Sequence, residues 1–111
     1  MAKVYTLKLN KEFKTAYYHG KTFVHPLLVL YARKNKAKMQ RIGITTGKKI
    51  GGAVQRNRCR RIIREAYRQC RPHLAGNYDF VFVARNATTR AKSTDLCNVM
   101  EQLFKKAGLW V

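Results

Sequence analysis

The chain has 111 residues, and its 24 lysines and arginines against 5 aspartates and glutamates give a formal net charge of +19. Hydrophobic residues make up 46% of the sequence, which excludes a disordered basic tail and is typical of one folded domain over residues 1–111. So large a positive charge attracts polyanions and indicates a nucleic-acid partner. The sequence has neither a signal peptide nor an apolar run long enough to span a bilayer, so we expect a cytoplasmic protein with no membrane partner.

The N-terminal segment predicts a basic arm followed by a short helix. Residues 1–9 are basic, and we expect them to be extended. Asn10 is a good N-cap, and the helix that follows it is expected to end at Gly20. Phe13 and Tyr17 are four residues apart and therefore share one face of this helix.

Two β-type segments come next. Residues 22–32 are β-branched, aromatic and apolar, and predict one long strand or two short strands broken near Pro26. Val29 and Tyr31 fall on one face of this strand, and Leu28 and Leu30 fall on the other. Residues 39–47 predict the next strand, which we expect to pair back on the first as a hairpin.

A basic amphipathic helix is predicted within residues 47–71. From about Ala53 to Arg71 the sequence contains no glycine or proline, and its apolar residues recur at helical spacing. These residues form one stripe that we expect to be buried: Cys59, Ile62, Ile63, Ala66, Tyr67 and Cys70.

Six arginines of this helix form a second stripe. At about 100° per residue they occupy an arc of roughly 140°, which also contains Asn57, whereas Arg58 falls outside it near Glu65. We call this set the arginine face: Arg56, Arg60, Arg61, Arg64, Arg68 and Arg71. A merely solvated face normally mixes acids and bases, but this helix has seven arginines and one acid. Guanidinium groups bind phosphate oxygens in bidentate geometry, so the arginine face predicts binding to a phosphate backbone.

The C-terminal part predicts one strand and one helix. Residues 78–85 alternate, with two phenylalanines on one face and two valines on the other. Thr94 or Ser93 is expected to cap a last helix that runs through Lys106. Its expected core stripe is Leu96, Val99, Met100, Leu103 and Phe104. The predicted fold is α+β, with a single mixed sheet of about four strands packed with three helices in the order α-β-β-β-α-β-α.

Neither cysteine-bound metal nor catalysis by the polypeptide is expected. Cys59 and Cys70 lie on a buried stripe, where free thiols act as small hydrophobic side chains. Cys70 and His73 lack a second pair of ligands to complete a tetrahedron. A metal-dependent nuclease needs clustered carboxylates to hold Mg²⁺, but the five acids are scattered over separate elements. The glycine-rich turn at residues 47–52 does not match a phosphate-binding loop.

The block around the basic helix resembles the signature of the bacterial ribonuclease P protein subunit. It consists of R-N-R at 56–58, followed by Arg61, Arg64 and Tyr67 and preceded by K-K-I-G at 48–51. The similarity covers nearly the whole chain and includes residues 12–13, 19–20, 28–31, 41–44 and 79–85. It implies that an RNA subunit performs a Mg²⁺-dependent hydrolysis that removes the 5′ leader of precursor tRNA. The protein would then bind no cofactor itself.

The resemblance also implies two sets of RNA-binding residues and one feature of topology. Catalytic RNA would contact the matching basic residues, to which the helical arc adds Arg60 and Arg68. This set is Lys48, Lys49, Arg56, Asn57, Arg58, Arg60, Arg61, Arg64 and Arg68. The single-stranded leader of precursor tRNA would lie in a cleft between the first helix and the sheet, formed by Phe13, Tyr17, Val29 and Tyr31. One protein per RNA and a left-handed βαβ crossover around the basic helix are also expected.

Alternative interpretations remain at this point. The aromatic residues of the expected cleft are also consistent with an ordinary core. Charge and fold suit a ribosomal or general structured-RNA-binding protein, in which no reaction is linked to binding. A DNA-binding repressor is less favoured, because no helix-turn-helix spacing surrounds the basic helix.

Overall fold

The computed structural model describes residues 5–7, 10–37 and 39–111, which contain three α-helices and a five-stranded sheet. The helices are α1 (Asn10–His19), α2 (Ala53–Cys70) and α3 (Ser93–Lys106). The strands are β1 (Tyr5–Thr6), β2 (Lys21–His25), β3 (Leu28–Lys34), β4 (Arg41–Thr45) and β5 (Tyr78–Ala84). Apart from the two-residue β1, the predicted α+β order is confirmed. Most of the arm predicted for residues 1–9 lies outside the described residues.

The first apolar run divides into two strands. β2 and β3 form an antiparallel hairpin, with Pro26 and Leu27 in the turn between them. The amide of Leu27 donates a hydrogen bond to Nδ1 of His25 at 3.0 Å. Proline cannot donate a ladder hydrogen bond, so the run is interrupted where the sequence suggested.

The hairpin predicted between the strands at 22–32 and 39–47 is wrong, because β5 lies between β3 and β4. β5 pairs antiparallel with β3 and parallel with β4. A strand that is apolar on both faces is stable in a central position, where both faces are covered. α2 is therefore the crossover between the parallel strands β4 and β5, and the left-handed sense expected for it remains a prediction.

The larger core lies between the sheet and the pair α2 and α3. Both predicted stripes are confirmed, since all their apolar residues on α2 and α3 are buried. They pack with inward-facing side chains of β3 and β5, among them Leu28, Leu30, Phe80 and Phe82. The periodicity of each helix therefore identified its buried face correctly.

A smaller core lies on the opposite face of the sheet, beneath α1. Leu7, Ala16 and Val81 are buried there. The side chains packed around them are only partly buried: Phe13, Tyr17, Tyr31 and Val83. Because α1 has only 10 residues, it covers only part of this face and leaves aromatic rings accessible at its margin.

The three cysteines are free thiols, and the burial predicted for Cys59 and Cys70 is confirmed. Cys59 and Cys70 are buried in the larger core. Cys97 of α3, which the sequence pattern did not single out, places its Sγ 3.7 Å from Sγ of Cys70. Burial is the main cause that raises the pKa of the Cys70 thiol, and the nearby Cys97 raises it further. The Cys70 thiol therefore remains protonated.

Candidate nucleic-acid interface

The arginine face lies along the outer side of α2. Its exposed members are Arg60, Arg61, Arg64 and Arg68, and its half-buried members are Arg56 and Arg71. The four exposed arginines line one open hollow of about 400 Å³ with Asn57 and Glu65. Glu65 pairs with Arg68 at 3.5 Å and is the only acid lining this hollow. The excess of guanidinium groups creates a positive surface that can bind several phosphates.

Arg58 has different contacts from its neighbours on α2. Its Nη1 donates to the carbonyl of Thr89 and its Nη2 donates to the carbonyl of Ala91, each at 2.9 Å. These bonds tie α2 to the segment that leads into α3. Arg58 thus lies away from the arginine face, as its helical angle indicated. Both of its terminal nitrogens are hydrogen-bonded within the fold.

Lys48 and Lys49 lie on a 3₁₀ turn, Lys48–Ile50, just before α2. Both lysines are exposed, whereas Ile50 is buried and anchors the turn. Gly51 then adopts a φ of 139°, a conformation that side chains disfavour, and so allows the chain to turn into the helix. The two lysines therefore extend the positive surface at the N-terminal end of α2.

Glu12 and Phe13 help to hold α1 on the sheet. Nη1 of Arg41 donates to Oε2 of Glu12 at 2.8 Å. The ring of Phe13 lies directly over Gly43 of β4, where an added Cβ would come within 2.5 and 2.6 Å of two ring carbons. Any larger residue at position 43 would displace Phe13, so the absence of a side chain there sets the position of this ring.

An open groove of about 420 Å³ runs between α1, the end of β4 and α2, and we call it the aromatic groove. It is lined by Asn10, Phe13, Lys14, Tyr17, Ile44, Thr45, Thr46 and Arg60. The hydroxyls of Tyr17 and Thr45 are hydrogen-bonded at 2.9 Å, which fixes the tyrosine ring at one side. β1 pairs only with Arg41 and Ile42, so within the described residues the rest of the β4 edge is available to line this groove.

The other predicted cleft residues lie beside the aromatic groove and not among its lining residues. Tyr31 packs edge-to-face on Tyr17, with ring centroids 4.8 Å apart. Val29 precedes Tyr31 by two positions on β3 and so faces the same side of the sheet. Phe13, Tyr17, Val29 and Tyr31 are all half-buried, which gives them both a packing role and an accessible surface.

Sequence reasoning missed the polar and β4 residues of the groove. Asn10, Lys14, Thr45 and Thr46 carry no motif of their own, and only the folded chain brings α1 against the β4 edge. The structure also shows that Arg60 lines both the aromatic groove and the hollow of the arginine face. The two candidate surfaces are therefore continuous.

The described residues contain no group of three or more histidine, cysteine or acidic side chains arranged to hold a metal ion. None of the helices in the described part of the chain is long and apolar enough to cross a membrane. The side chains that line the two candidate surfaces supply positive charge, aromatic rings and hydroxyl groups.

Comparisons with known proteins agree over nearly the whole chain. A family model described as Ribonuclease P matches residues 1–108. The ribonuclease P protein component of Clostridium kluyveri is 39% identical over 109 residues, covering 96% of this chain and 97% of that protein. The RNase P protein structure from Staphylococcus aureus matches with a TM-score of 0.85 and 30% identity, over 98% of this chain and 100% of that one. The structure from Thermotoga maritima matches with a TM-score of 0.79 and 25% identity, over 90% and 96%.

Proposed function

The chain belongs to the ribonuclease P protein family, and we propose that it offers separate but adjoining surfaces to the catalytic RNA and to the 5′ leader of precursor tRNA. Membership makes it the protein subunit of an endoribonuclease that processes tRNA, with the ribonuclease P RNA as its partner. The proposal concerns which residues serve each RNA and how the two surfaces are joined.

The catalytic RNA binds the positive surface of α2 and the turn before it. The contacting residues are Lys48, Lys49, Arg56, Asn57, Arg60, Arg61, Arg64 and Arg68. Support comes from the four exposed arginines in one hollow, where Glu65 alone supplies negative charge. Arg58 belongs to the same sequence signature, but its role is to hold α2 in place through its two carbonyl contacts.

The single-stranded leader binds along α1, against Phe13, Tyr17 and Tyr31, with Val29 completing the apolar surface. Half-buried rings beside a lysine and an arginine suit this ligand, since single strands are held by base stacking within a cationic groove. Stacking tolerates any base, which a leader of variable sequence requires. The same residues serve as the smaller core on their inward side.

The position of Arg60 is the observation that carries this proposal, because this residue lines both surfaces. A precursor tRNA whose leader lies in the aromatic groove is thereby brought next to the RNA bound on α2. The hydrolysis is performed by the RNA subunit, and Mg²⁺ supplies its chemistry there. The polypeptide binds no cofactor, acts as one copy per RNA and works in the cytoplasm.

Reconstitution tests the proposal. The purified protein is mixed with a bacterial ribonuclease P RNA at low magnesium, and cleavage of a leader-bearing tRNA precursor is followed. Restored 5′ maturation that neither partner gives alone is the expected result. Tight RNA binding without cleavage would contradict the proposal and leave a general structured-RNA-binding protein.

Arg60→Gln and Arg90→Gln form a matched pair in the same assay, because both remove one exposed positive charge. Arg60→Gln is expected to weaken both catalytic-RNA binding and the preference for a leader. Arg90 lies on a 3₁₀ turn outside both hollows, so Arg90→Gln should change neither by as much. Equal effects of the two variants would mean that only overall charge matters.

A further inference from the structure

Tyr18 stands on the outer side of α1 and is 83% exposed. The other tyrosines whose side chains the structure describes, Tyr17, Tyr31, Tyr67 and Tyr78, each pack against another aromatic ring. Within the described residues Tyr18 has neither a ring partner nor a hydrogen bond. Its ring is therefore fully available to a ligand.

The surroundings of Tyr18 are positively charged. Lys11, Lys14, Thr15 and His19 form a shallow hollow with it along one side of α1. Tyr18 follows Lys11 by seven residues and Lys14 by four, so these side chains lie on the same stripe of the helix. The nearby acid Glu12 does not line this hollow and binds Arg41 instead.

This hollow adjoins the aromatic groove. Lys14 lines both of them. Tyr17, in the groove, and Tyr18, in the outer hollow, are consecutive residues and therefore point about 100° apart around the helix axis. A strand that leaves the aromatic groove past Lys14 meets the ring of Tyr18 next.

We propose that the single-stranded RNA in the aromatic groove continues over α1, where Tyr18 stacks on a further base while Lys11 and Lys14 neutralise the adjoining phosphates. This inference rests on the proposed function of the groove as the leader site. It extends that site to nucleotides farther from the cleavage point than those held by Phe13 and Tyr17.

Charge and composition favour RNA as the occupant. Among the residues that line the hollow, Tyr18 is the only large apolar side chain, and none is acidic. One isolated ring is too little apolar surface for a protein partner, which requires a packed cluster of such residues. A lone aromatic ring between lysines is the arrangement that binds a nucleobase and its phosphates.

The test measures the affinity of the reconstituted holoenzyme for a series of tRNA substrates. The first has no leader, and each of the others has a leader one nucleotide longer than the one before. Wild type, Tyr18→Ala and Tyr18→Phe are compared. Because Tyr18 is so exposed, neither substitution should affect folding, and thermal melting of the free protein checks this. Tyr18→Ala should bind substrates with no leader or a short leader as wild type does, but should lose about five- to tenfold affinity once the leader reaches α1. Tyr18→Phe, which keeps a ring, should retain the wild-type profile.

The outcomes are distinguishable. If wild type gains affinity with leader length and Tyr18→Ala gains equally, the extension over α1 is wrong while the leader site stands. A loss in Tyr18→Ala that is the same for mature and precursor tRNA also overturns the extension, because Tyr18 would then contact another part of the RNA. If wild type gains no affinity from any leader, both this inference and the proposed leader site fail.

Discussion

Arg41 and Asp79 face each other across the parallel strands β4 and β5 and form a bidentate ion pair, with Nε–Oδ1 at 2.8 Å and Nη2–Oδ2 at 2.9 Å. Asp79 is only 2% exposed, and Asn35 donates a further hydrogen bond to it. The hydrogen bonding that Arg41 donates to Asp79 is the main reason that the pKa of Arg41 is raised. Since Arg41 also binds Glu12, one guanidinium joins α1 to two strands.

Asp79→Ala should therefore lower the free energy of unfolding by about 3 kcal/mol, because it leaves a partly buried guanidinium with one acidic partner fewer. Urea denaturation measures this value. Glu65→Ala is the control: Glu65 pairs with Arg68 on the surface at 3.5 Å, and its loss should cost less than about 1 kcal/mol. Similar losses for the two variants would show that the Arg41 pair contributes no more than a surface pair.

Arg61→Ala or Arg64→Ala should weaken binding of the catalytic RNA and reduce its salt dependence. Each lost phosphate contact lowers the slope of log affinity against log salt by roughly 0.7–0.9. The slope is measured by RNA binding over a range of monovalent salt. Arg90→Ala, which removes an exposed charge outside the hollow of the arginine face, should change the slope less. An unchanged slope for Arg61→Ala and Arg64→Ala would argue against direct phosphate contact.

Arg58→Ala should mainly lower the free energy of unfolding, and it should affect RNA affinity less. The change leaves the carbonyls of Thr89 and Ala91 without their donors and should cost about 1–3 kcal/mol. Chemical denaturation of the free protein measures the loss, and RNA titration of the folded variant measures the salt slope. A reduced salt slope with unchanged stability would instead assign Arg58 to the RNA.

Phe13→Ala and Tyr31→Ala should weaken binding of precursor tRNA to the holoenzyme but not binding of mature tRNA, because only the precursor has a leader. Loss of one stacked base corresponds to about 1–3 kcal/mol. Tyr31→Phe serves as the control, since it keeps the ring that packs on Tyr17. Equal losses for both substrates would assign these residues to the core alone.

Because of Tyr67, the free energy of unfolding should depend on pH in the alkaline range. Its burial raises its pKa to about 12, from a usual value near 10. As pH rises, the unfolded chain therefore loses this proton before the folded chain does. The contribution of Tyr67 to the free energy of unfolding is fully present below about pH 10. It falls as pH rises toward 12, by up to about 1.4 kcal/mol per pH unit. Tyr67→Phe should flatten this fall, as measured by urea denaturation across the alkaline range. The slope that remains should come partly from Cys70, whose pKa is also raised by burial.

Tyr67→Phe also removes a hydrogen bond at neutral pH. The Tyr67 hydroxyl donates to Oε1 of Gln40 at 2.7 Å, and its loss should cost about 1 kcal/mol below pH 9. If the free energy of unfolding depends on pH in the same way for wild type and Tyr67→Phe, folding does not raise the pKa of Tyr67.

The sequence by itself determined the buried stripes of α2 and α3, the alternation of β5, and the attraction of the chain to polyanions. These features are local: a helix or strand repeats its own period, and charges add whatever the fold. The helical angle of Arg58 likewise separates it from the arginine face, independently of its contacts.

Tertiary structure alone decided the strand order and the assembly of the surface. β4 carries no local signal that it would pair in parallel with β5, a distant segment, and not with its neighbour β3. The same long-range pairing brings the free end of β4 beside α1 and places Arg60 between the aromatic groove and the arginine face. Contacts between segments far apart in the chain depend on packing of both sheet faces, and local periodicity contains no information about them.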